Sequence, residues 1–323
     1  MYSIDKEQGE NMKAAQISTY GGKDALQATD KAPKPSAGSG QVLVEVRAAG
    51  VNPFDWKVRE GYMKDAVPMD LPATLGGDVA GVVAEIGENV EGFITDQAVY
   101  GQANALSGQG SYAEFTPVKA GQLAAKPETV DFTTAAALPL AATSAYQALV
   151  DHVGLQKGQK ILIHGGAGGI GSLAIQLAKH LGAYVATTAT DDGLAFVKEL
   201  GADEVIDYKS EDFSAVIKDY DAVFDTVGGE TNKKSYVVLK EGGALVSMVE
   251  QPDEELAAGR GIKYTAQATR STSERLEAIA ELVDKGVLKP QIDKVFPLDQ
   301  AAEALEYVKT GGPKGKVVLE IKN

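Results

Sequence analysis

The chain contains no cysteine, which excludes disulfides, thiolate metal sites and a cysteine nucleophile. Histidine is scarce too. Only His152, His164 and His180 occur, with no matching cysteine or carboxylate cluster, so they read as structural or surface residues rather than ligands. No apolar run reaches the roughly 18 residues that a membrane span requires. Positive charge is in deficit: 31 Lys and Arg stand against 45 Asp and Glu, a net charge of −14. That sign opposes nucleic acid and anionic membrane surfaces, so no nucleic-acid or membrane partner is expected. The N-terminal stretch MYSIDKEQGENMK is polar and acidic and lacks the features of a signal peptide. Residues 1–11 therefore read as an extension without a core role, and the expected location is cytoplasmic. Hydrophobic content of 44% and charged content of 24% over 323 residues describe an ordinary globular chain, large enough for two domains.

Residues 12–135 carry β-branched runs bounded by Gly and Pro, such as 41-QVLVEVRAAGV-51 and 79-VAGVVAEIG-87, and predict a β-rich domain around a distorted barrel. From residue 136 the rhythm changes. ALPLAATSAYQALVDHV reads as a helix and 160-KILIH-164 as a buried strand. Strands at 183–189, 204–208, 221–227, 244–249 and 263–269 then alternate with helices at 193–200, 211–219 and 231–239. Such alternation predicts a parallel sheet covered on both faces. Residues 273–286 read as a helix capped by Ser273 and ended by Gly286, and 316-KVVLEI-321 as a strand returning to the first domain.

Between 160-KILIH-164 and a helix with Leu173, Leu177 and Leu181 on one face lies GGAGGIG, five glycines in seven residues. Gly166, Ala167, Gly168, Gly169, Ile170 and Gly171 fit G-x-G-x-x-G. A strand before it and a helix after it distinguish this dinucleotide fingerprint from a glycine turn that merely joins two elements. The glycines permit a tight turn, close approach to a pyrophosphate and close helix–strand packing, with the phosphates on the helix N-terminus. NAD-specific sites place an acidic residue at the end of the next strand. Here Thr188 occupies that position and Thr190 follows, which favours NADPH by removing a repulsion. Asp191 and Asp192 come next and no nearby Arg or Lys does, so a polar strand end without selectivity is the alternative.

With these motifs the chain resembles zinc-free medium-chain dehydrogenases/reductases of the quinone oxidoreductase (zeta-crystallin-like) family. The resemblance runs through 50-GVNPFDWKVREGY-62, 75-LGGDVAGVVAEIG-87, the glycine loop, 224-FDTVGG-229 and 315-GKVVLEI-321. It implies an α/β fold: a GroES-like β-barrel catalytic domain (1–135 and 271–323) plus a doubly wound Rossmann dinucleotide-binding domain (136–270). It also implies a homodimer formed through the strand near 263–269. At the positions where zinc relatives carry Cys, His and Glu, this chain has Asn52, Gly77 and Asp78, so no metal is expected. Without that Lewis acid, hydride transfer to an already electrophilic acceptor is favoured over alcohol oxidation.

The resemblance further implies that Asn52 and Tyr62 are the catalytic pair, polarising or protonating a developing enolate or quinol oxygen. A turn residue before Pro53 and a rim-packing tyrosine are the plainer readings of the same two residues. Thr143 corresponds to a threonine touching the nicotinamide carboxamide, Tyr208 to a tyrosine lining the 2′-phosphate pocket, and Val227 joins the cofactor set. The lysine that many relatives place on that phosphate falls at Gly193. The expected activity is NADPH-dependent reduction of a quinone or an α,β-unsaturated carbonyl compound. The competing expectation is a non-catalytic NADPH-binding sensor or interaction protein.

Overall fold

The computed structural model describes residues 10–322. Residues 1–9 of the N-terminal extension lie outside the described residues. The first eight strands are β1 (Asn11–Ile17), β2 (Leu26–Pro33), β3 (Gln41–Val51), β4 (Ala73–Thr74), β5 (Asp78–Ile86), β6 (Ala98–Gln102), β7 (Phe115–Lys119) and β8 (Leu123–Ala125). A short helix, α1 (Pro53–Arg59), follows β3 directly. β3 is apolar on both faces, with Val42, Leu43, Val44, Val46, Ala48, Ala49 and Val51 all buried. A strand buried on both sides belongs in the middle of an assembly. β3 duly pairs with β5 along most of its length, with β7 near its start and with the C-terminal strand near its end.

Six parallel strands form the second sheet: β9 (Lys160–Ile163), β10 (Tyr184–Ala189), β11 (Glu204–Asp207), β12 (Tyr220–Asp225), β13 (Leu239–Ser247) and β14 (Lys263–Ala266). Their order, β11-β10-β9-β12-β13-β14, reverses at β9. That switch point is where a doubly wound sheet opens a crevice for a ligand. The accompanying helices are α2 (Phe132–Ala136), α3 (Pro139–Tyr146), α4 (Gly169–His180), α5 (Gly193–Glu199), α6 (Phe213–Val216), α7 (Glu230–Val238) and α8 (Glu254–Gly259). α4 buries Leu173, Ala174, Leu177 and Ala178, as its i, i+4 spacing predicts. Leu173 and Leu177 each contribute roughly 1.5–3 kcal/mol by that burial.

The chain then passes through α9 (Ser273–Asp284), β15 (Ile292–Pro297), α10 (Ala301–Gly311) and β16 (Lys316–Glu320). β15 and β16 join the β3 sheet, so the last strands return to the first domain as expected. Three local expectations are corrected. The helix expected at 211–219 shrinks to α6, because Asp212 caps it by accepting from the Ser214 N–H and Ile217 is already extended. Thr272, not Ser273, caps α9; the Ser273 hydroxyl instead donates to the carbonyls of Ala120 and Leu123. The single helix expected over 137–153 begins only at Pro139 and passes after Tyr146 into a π-helical segment, Gln147–His152.

Candidate active site

The glycine turn at the β9–α4 junction has little spare space. A Cβ on Gly166 would stand 2.0 Å from the Thr187 hydroxyl oxygen, and one on Gly171 would stand 2.2 Å from the Gly165 carbonyl. The turn thus lies tight against β10 and against the start of its own helix. Gly168 differs: its nearest neighbour would be the Gly165 carbonyl at 3.4 Å, so its outer face is open. No side chain caps α4 at Gly168, and its first turn holds no acidic residue. The helix therefore presents free N–H groups and a positive dipole end, which suits a phosphate. Tight inner glycines and an open outer one make the cradle that a dinucleotide requires, so the residues fit NADPH.

Two cavities flank this turn and share Gly165. The larger, of about 600 Å³, reaches the ends of β10 and β11 and is lined by Thr188, Tyr208, Lys209, Ser210, Val227 and Lys234 among others. The smaller, of about 290 Å³, lies between the sheets and is lined by Asn52, Leu140, Gly168, Gly169, Thr226 and Lys316 among others.

Asn52 follows β3 and is the N-cap of α1. Pro53 starts that helix with a fixed φ and no N–H to leave unpaired. Asn52 is buried, and its polar atoms are held by side chains from three elements. Its Nδ2 donates to Asp78 Oδ2 at 2.9 Å, its Oδ1 accepts from the Lys316 ammonium, and its backbone N–H donates to Asp55 Oδ2 at 2.8 Å. Asp55 also accepts from the Tyr112 hydroxyl at 2.7 Å, and Asp78 Oδ1 from the Leu140 N–H at 2.9 Å. Burial pushes the Asp55 carboxyl up to about 7, against the hydrogen bonds from Tyr112 and Asn52. Burial also raises the Asp78 carboxyl, opposed chiefly by the Lys316 charge.

The expected site residues are distributed unequally. Asn52, Gly168, Gly169, Ile170 and Gly171 line the smaller cavity; Thr188, Tyr208 and Val227 line the larger. Gly166 packs on Thr187, and Ala167 lies under Gly193 with its carbonyl accepting from the Gly315 N–H at 2.9 Å. A Cβ on Gly193 would stand 3.1 Å from the Ala167 methyl. Thr188 turns its hydroxyl inward, 3.2 Å from both His164 Nδ1 and the Gly165 N–H. Thr190 sits at the strand end outside both cavity linings. Thr143 is fully buried, its hydroxyl accepting from Ser271 at 3.5 Å, and its neighbours Leu140 and Ala141 line the cavity instead. Tyr62 stands outside the smaller cavity, 67% exposed, with its ring edge against Trp56.

His164 is a buried structural histidine, hydrogen-bonded to Thr188 and, at 2.9 Å, to Ser235. Burial lowers its pKa to about 4, against the attraction of Asp225, so it stays neutral near pH 7. Sequence reasoning missed three residues. Lys316 heads an apolar strand and enters the smaller cavity. Lys209 supplies the cation that the end of β10 lacks, paired with Asp191 at 2.6 Å. Asp225 fixes the loop after β12 by accepting from the N–H groups of Val227 and Gly228, each at 2.9 Å. The Lys in GKVV and the Lys beside Tyr208 were the available signals for the first two. Among the described residues, no group of three or more His, Cys, Asp or Glu is arranged to hold a metal ion.

Residues 38–128 match the family described as alcohol dehydrogenase GroES-like domain, and residues 200–319 the one described as zinc-binding dehydrogenase. The chain is 38% identical over 317 residues to 2-methylene-furan-3-one reductase of Solanum lycopersicum, covering 95% of this chain and 79% of that protein. It is also 38% identical to the chloroplastic NADPH-dependent alkenal/one oxidoreductase of Arabidopsis thaliana, covering 98% and 80%. The quinone oxidoreductase of Coxiella burnetii superposes with a TM-score of 0.89 at 35% identity, covering 97% of this chain and 100% of that one. The Escherichia coli quinone oxidoreductase complexed with NADPH superposes with a TM-score of 0.86 at 26% identity, covering 96% and 100%.

Proposed function

The chain belongs to the medium-chain dehydrogenase/reductase family of quinone and alkenal/one oxidoreductases, and from that premise we propose that it reduces a quinone or an α,β-unsaturated ketone or aldehyde with NADPH and without a metal. The observation that carries this reading is the smaller cavity, where the open side of the glycine turn faces a buried carboxamide, Asn52. NADPH, when bound, supplies the hydride. The protein's own work is orientation and electrostatics. The turn and the N-terminus of α4 hold the phosphates. Asn52 keeps one Nδ2 hydrogen beyond the one given to Asp78, and that hydrogen bonds the acceptor oxygen as negative charge develops there. For an enone, hydride reaches the β-carbon, a solvent proton reaches the α-carbon, and the product is the saturated carbonyl. Tyr62 belongs in this reading as a rim group that a large acceptor meets first.

Preference for NADPH over NADH rests on Lys209, Tyr208 and Ser210 rather than on the Thr188 hydroxyl, which is already engaged inward. Metal-free chemistry is supported by the donor set, since the Lys316 ammonium already occupies the space between Asn52 and Asp78. We also propose a homodimer joined along β14, one of the two edge strands of the six-stranded sheet among the described residues. Light scattering would then give about twice 33.8 kDa.

The test is loss of reduced-nicotinamide absorbance with a benzoquinone, phenanthrenequinone, a short alkenal and methyl vinyl ketone, using NADPH and NADH in turn. Turnover with NADPH that falls on Asn52→Ala supports the reading. NADPH binding without turnover of any acceptor refutes it.

A further inference from the structure

Lys316 is a buried lysine, 5% exposed, at the first position of β16. Lysine is seldom found so deep without a partner. Its stem runs past the glycine turn: its Cδ lies 2.7 Å from where a Cβ on Gly169 would stand. The backbone there is tied to the turn by a bridge between Gly168 and Gly315 and by the Gly315 N–H bond to Ala167. The ammonium reaches Asn52 Oδ1, Asp78 Oδ2 at 3.3 Å and the Val51 carbonyl at 3.4 Å. An ammonium has three donors, and these three acceptors use them all.

We propose that Lys316 is a positioning residue for the reduction, fixing the Asn52 carboxamide with its amide nitrogen available to the acceptor in the cavity. Asp78 selects the nitrogen end of the carboxamide and Lys316 selects the oxygen end. A flipped carboxamide would set oxygen against carboxylate and nitrogen against ammonium, which is repulsive at both ends. Lys316 also neutralises Asp78, which would otherwise be a buried charge free to take up a proton and lose its preference for the amide nitrogen. Because the same lysine leans on the glycine turn, the dinucleotide cradle and the polarising amide share one rigid strut. With its donors spent, Lys316 acts through Asn52 and does not contact the substrate. The inference rests on the role given to Asn52 above.

The experiment compares Asn52→Ala, Lys316→Met, the double variant N52A/K316M, and the charge-balanced pair K316M/D78N, which guards against misfolding caused by an uncompensated Asp78. Readouts are kcat and KM for methyl vinyl ketone with NADPH, and the isotope effect with NADPH deuterated at the transferred position. A third readout is the Asn52 side-chain amide signals in NMR spectra of the cofactor-free protein, assigned by their absence in N52A. N52A is expected to lower kcat about 100-fold, the loss typical of one donor to a developing oxyanion. K316M and K316M/D78N should each lower kcat at least ~10-fold while changing KM little, and should raise the isotope effect. N52A/K316M should be no slower than N52A, because the lysine has nothing left to position. In K316M the Asn52 amide signals should shift and lose exchange protection. Wild-type turnover in N52A would overturn both this inference and the Asn52 role. Wild-type turnover in K316M or K316M/D78N with an impaired N52A, multiplying losses in the double variant, or unmoved Asn52 signals would overturn this inference alone.

Discussion

Replacing Gly166 and Gly168 by alanine in turn should separate two demands that the glycine turn meets. At Gly166 the added methyl would stand 2.0 Å from the Thr187 hydroxyl oxygen and 3.1 Å from both Thr187 Cβ and Ile175 Cδ1. The Thr187 hydroxyl is buried and donates to the Ile163 carbonyl at 2.7 Å, so it has no open side to retreat into. Losing that buried hydrogen bond costs about 1–3 kcal/mol. Overpacking adds about 1–3 kcal/mol. Gly166→Ala should therefore lose roughly 2–6 kcal/mol, a large part of the ~5–15 kcal/mol that holds a domain folded. At Gly168 the methyl meets nothing closer than 3.4 Å, and the backbone at φ −77° accepts alanine without strain. Gly168→Ala should stay within about 1 kcal/mol of wild type, because the substitution acts mainly on the unfolded chain. Its methyl, however, stands on the face where the phosphates must approach, so NADPH affinity should collapse. Urea titration of the cofactor-free protein measures the first effect and fluorescence titration with NADPH the second. A third variant checks the cause. In a Thr187→Ala background the cost of Gly166→Ala should shrink by about 1–3 kcal/mol. Full stability in Gly166→Ala, an undiminished cost without the Thr187 hydroxyl, or wild-type NADPH affinity in Gly168→Ala would refute the reasoning.

Other consequences concern charge. Asp55 holds its proton to about pH 7 in the folded protein against 3.8 in the free chain, so the stability it contributes is full below about pH 4 and lost as pH rises through 7. Asp55→Asn should abolish that loss, measured by urea midpoints across the interval; an unchanged slope would contradict it. His164 has the opposite sign: its pKa is lowered to about 4, so its contribution is present above about 6.5 and lost as pH falls toward 4. His164→Gln should weaken this acid loss in the same titrations. Lys209→Ala should raise the NADPH dissociation constant about tenfold, as loss of one charge-assisted contact would, and leave NADH unaffected; equal changes for both cofactors would remove Lys209 from the 2′-phosphate. Asp225→Ala should destabilise the protein by roughly 2–4 kcal/mol, since it frees the Val227 and Gly228 N–H groups and strands the Asn232 amide and Ser247 hydroxyl that also donate to Asp225.

Much of the nucleotide-binding half was legible because its signals are local. Strand, glycine turn and helix follow one another from Lys160 to His180, and apolar spacing reports the buried face of α4 directly. Caps were less legible. Thr272 and Ser273 are chemically alike and adjacent, and only the distant carbonyls of Ala120 and Leu123 decide which of them faces α9. The short reach of α6 was hidden because Ile217 suits a helix by composition but is buried in extended form on the way into β12. The polar network around Asn52 was beyond local reading. Its members lie at 52, 55, 78, 112 and 316, and they meet because β3 sits between β5 and β16. A resemblance identified Asn52, yet nothing near it in sequence signalled the lysine that holds it.

The central claim, metal-free hydride delivery from NADPH to an electrophilic carbon beside Asn52, is tested most directly by isotope tracing with a simple enone. NADPH deuterated at the transferred position in ordinary water should yield saturated ketone with one deuterium on the β-carbon. Unlabelled NADPH in deuterated water should instead place one deuterium on the α-carbon. Both labels should be unaffected by prior treatment of the protein with a strong metal chelator and should form far more slowly with Asn52→Ala. Saturated ketone without β-deuterium, product lost on chelation, or bound NADPH that delivers no label to any acceptor would contradict the account.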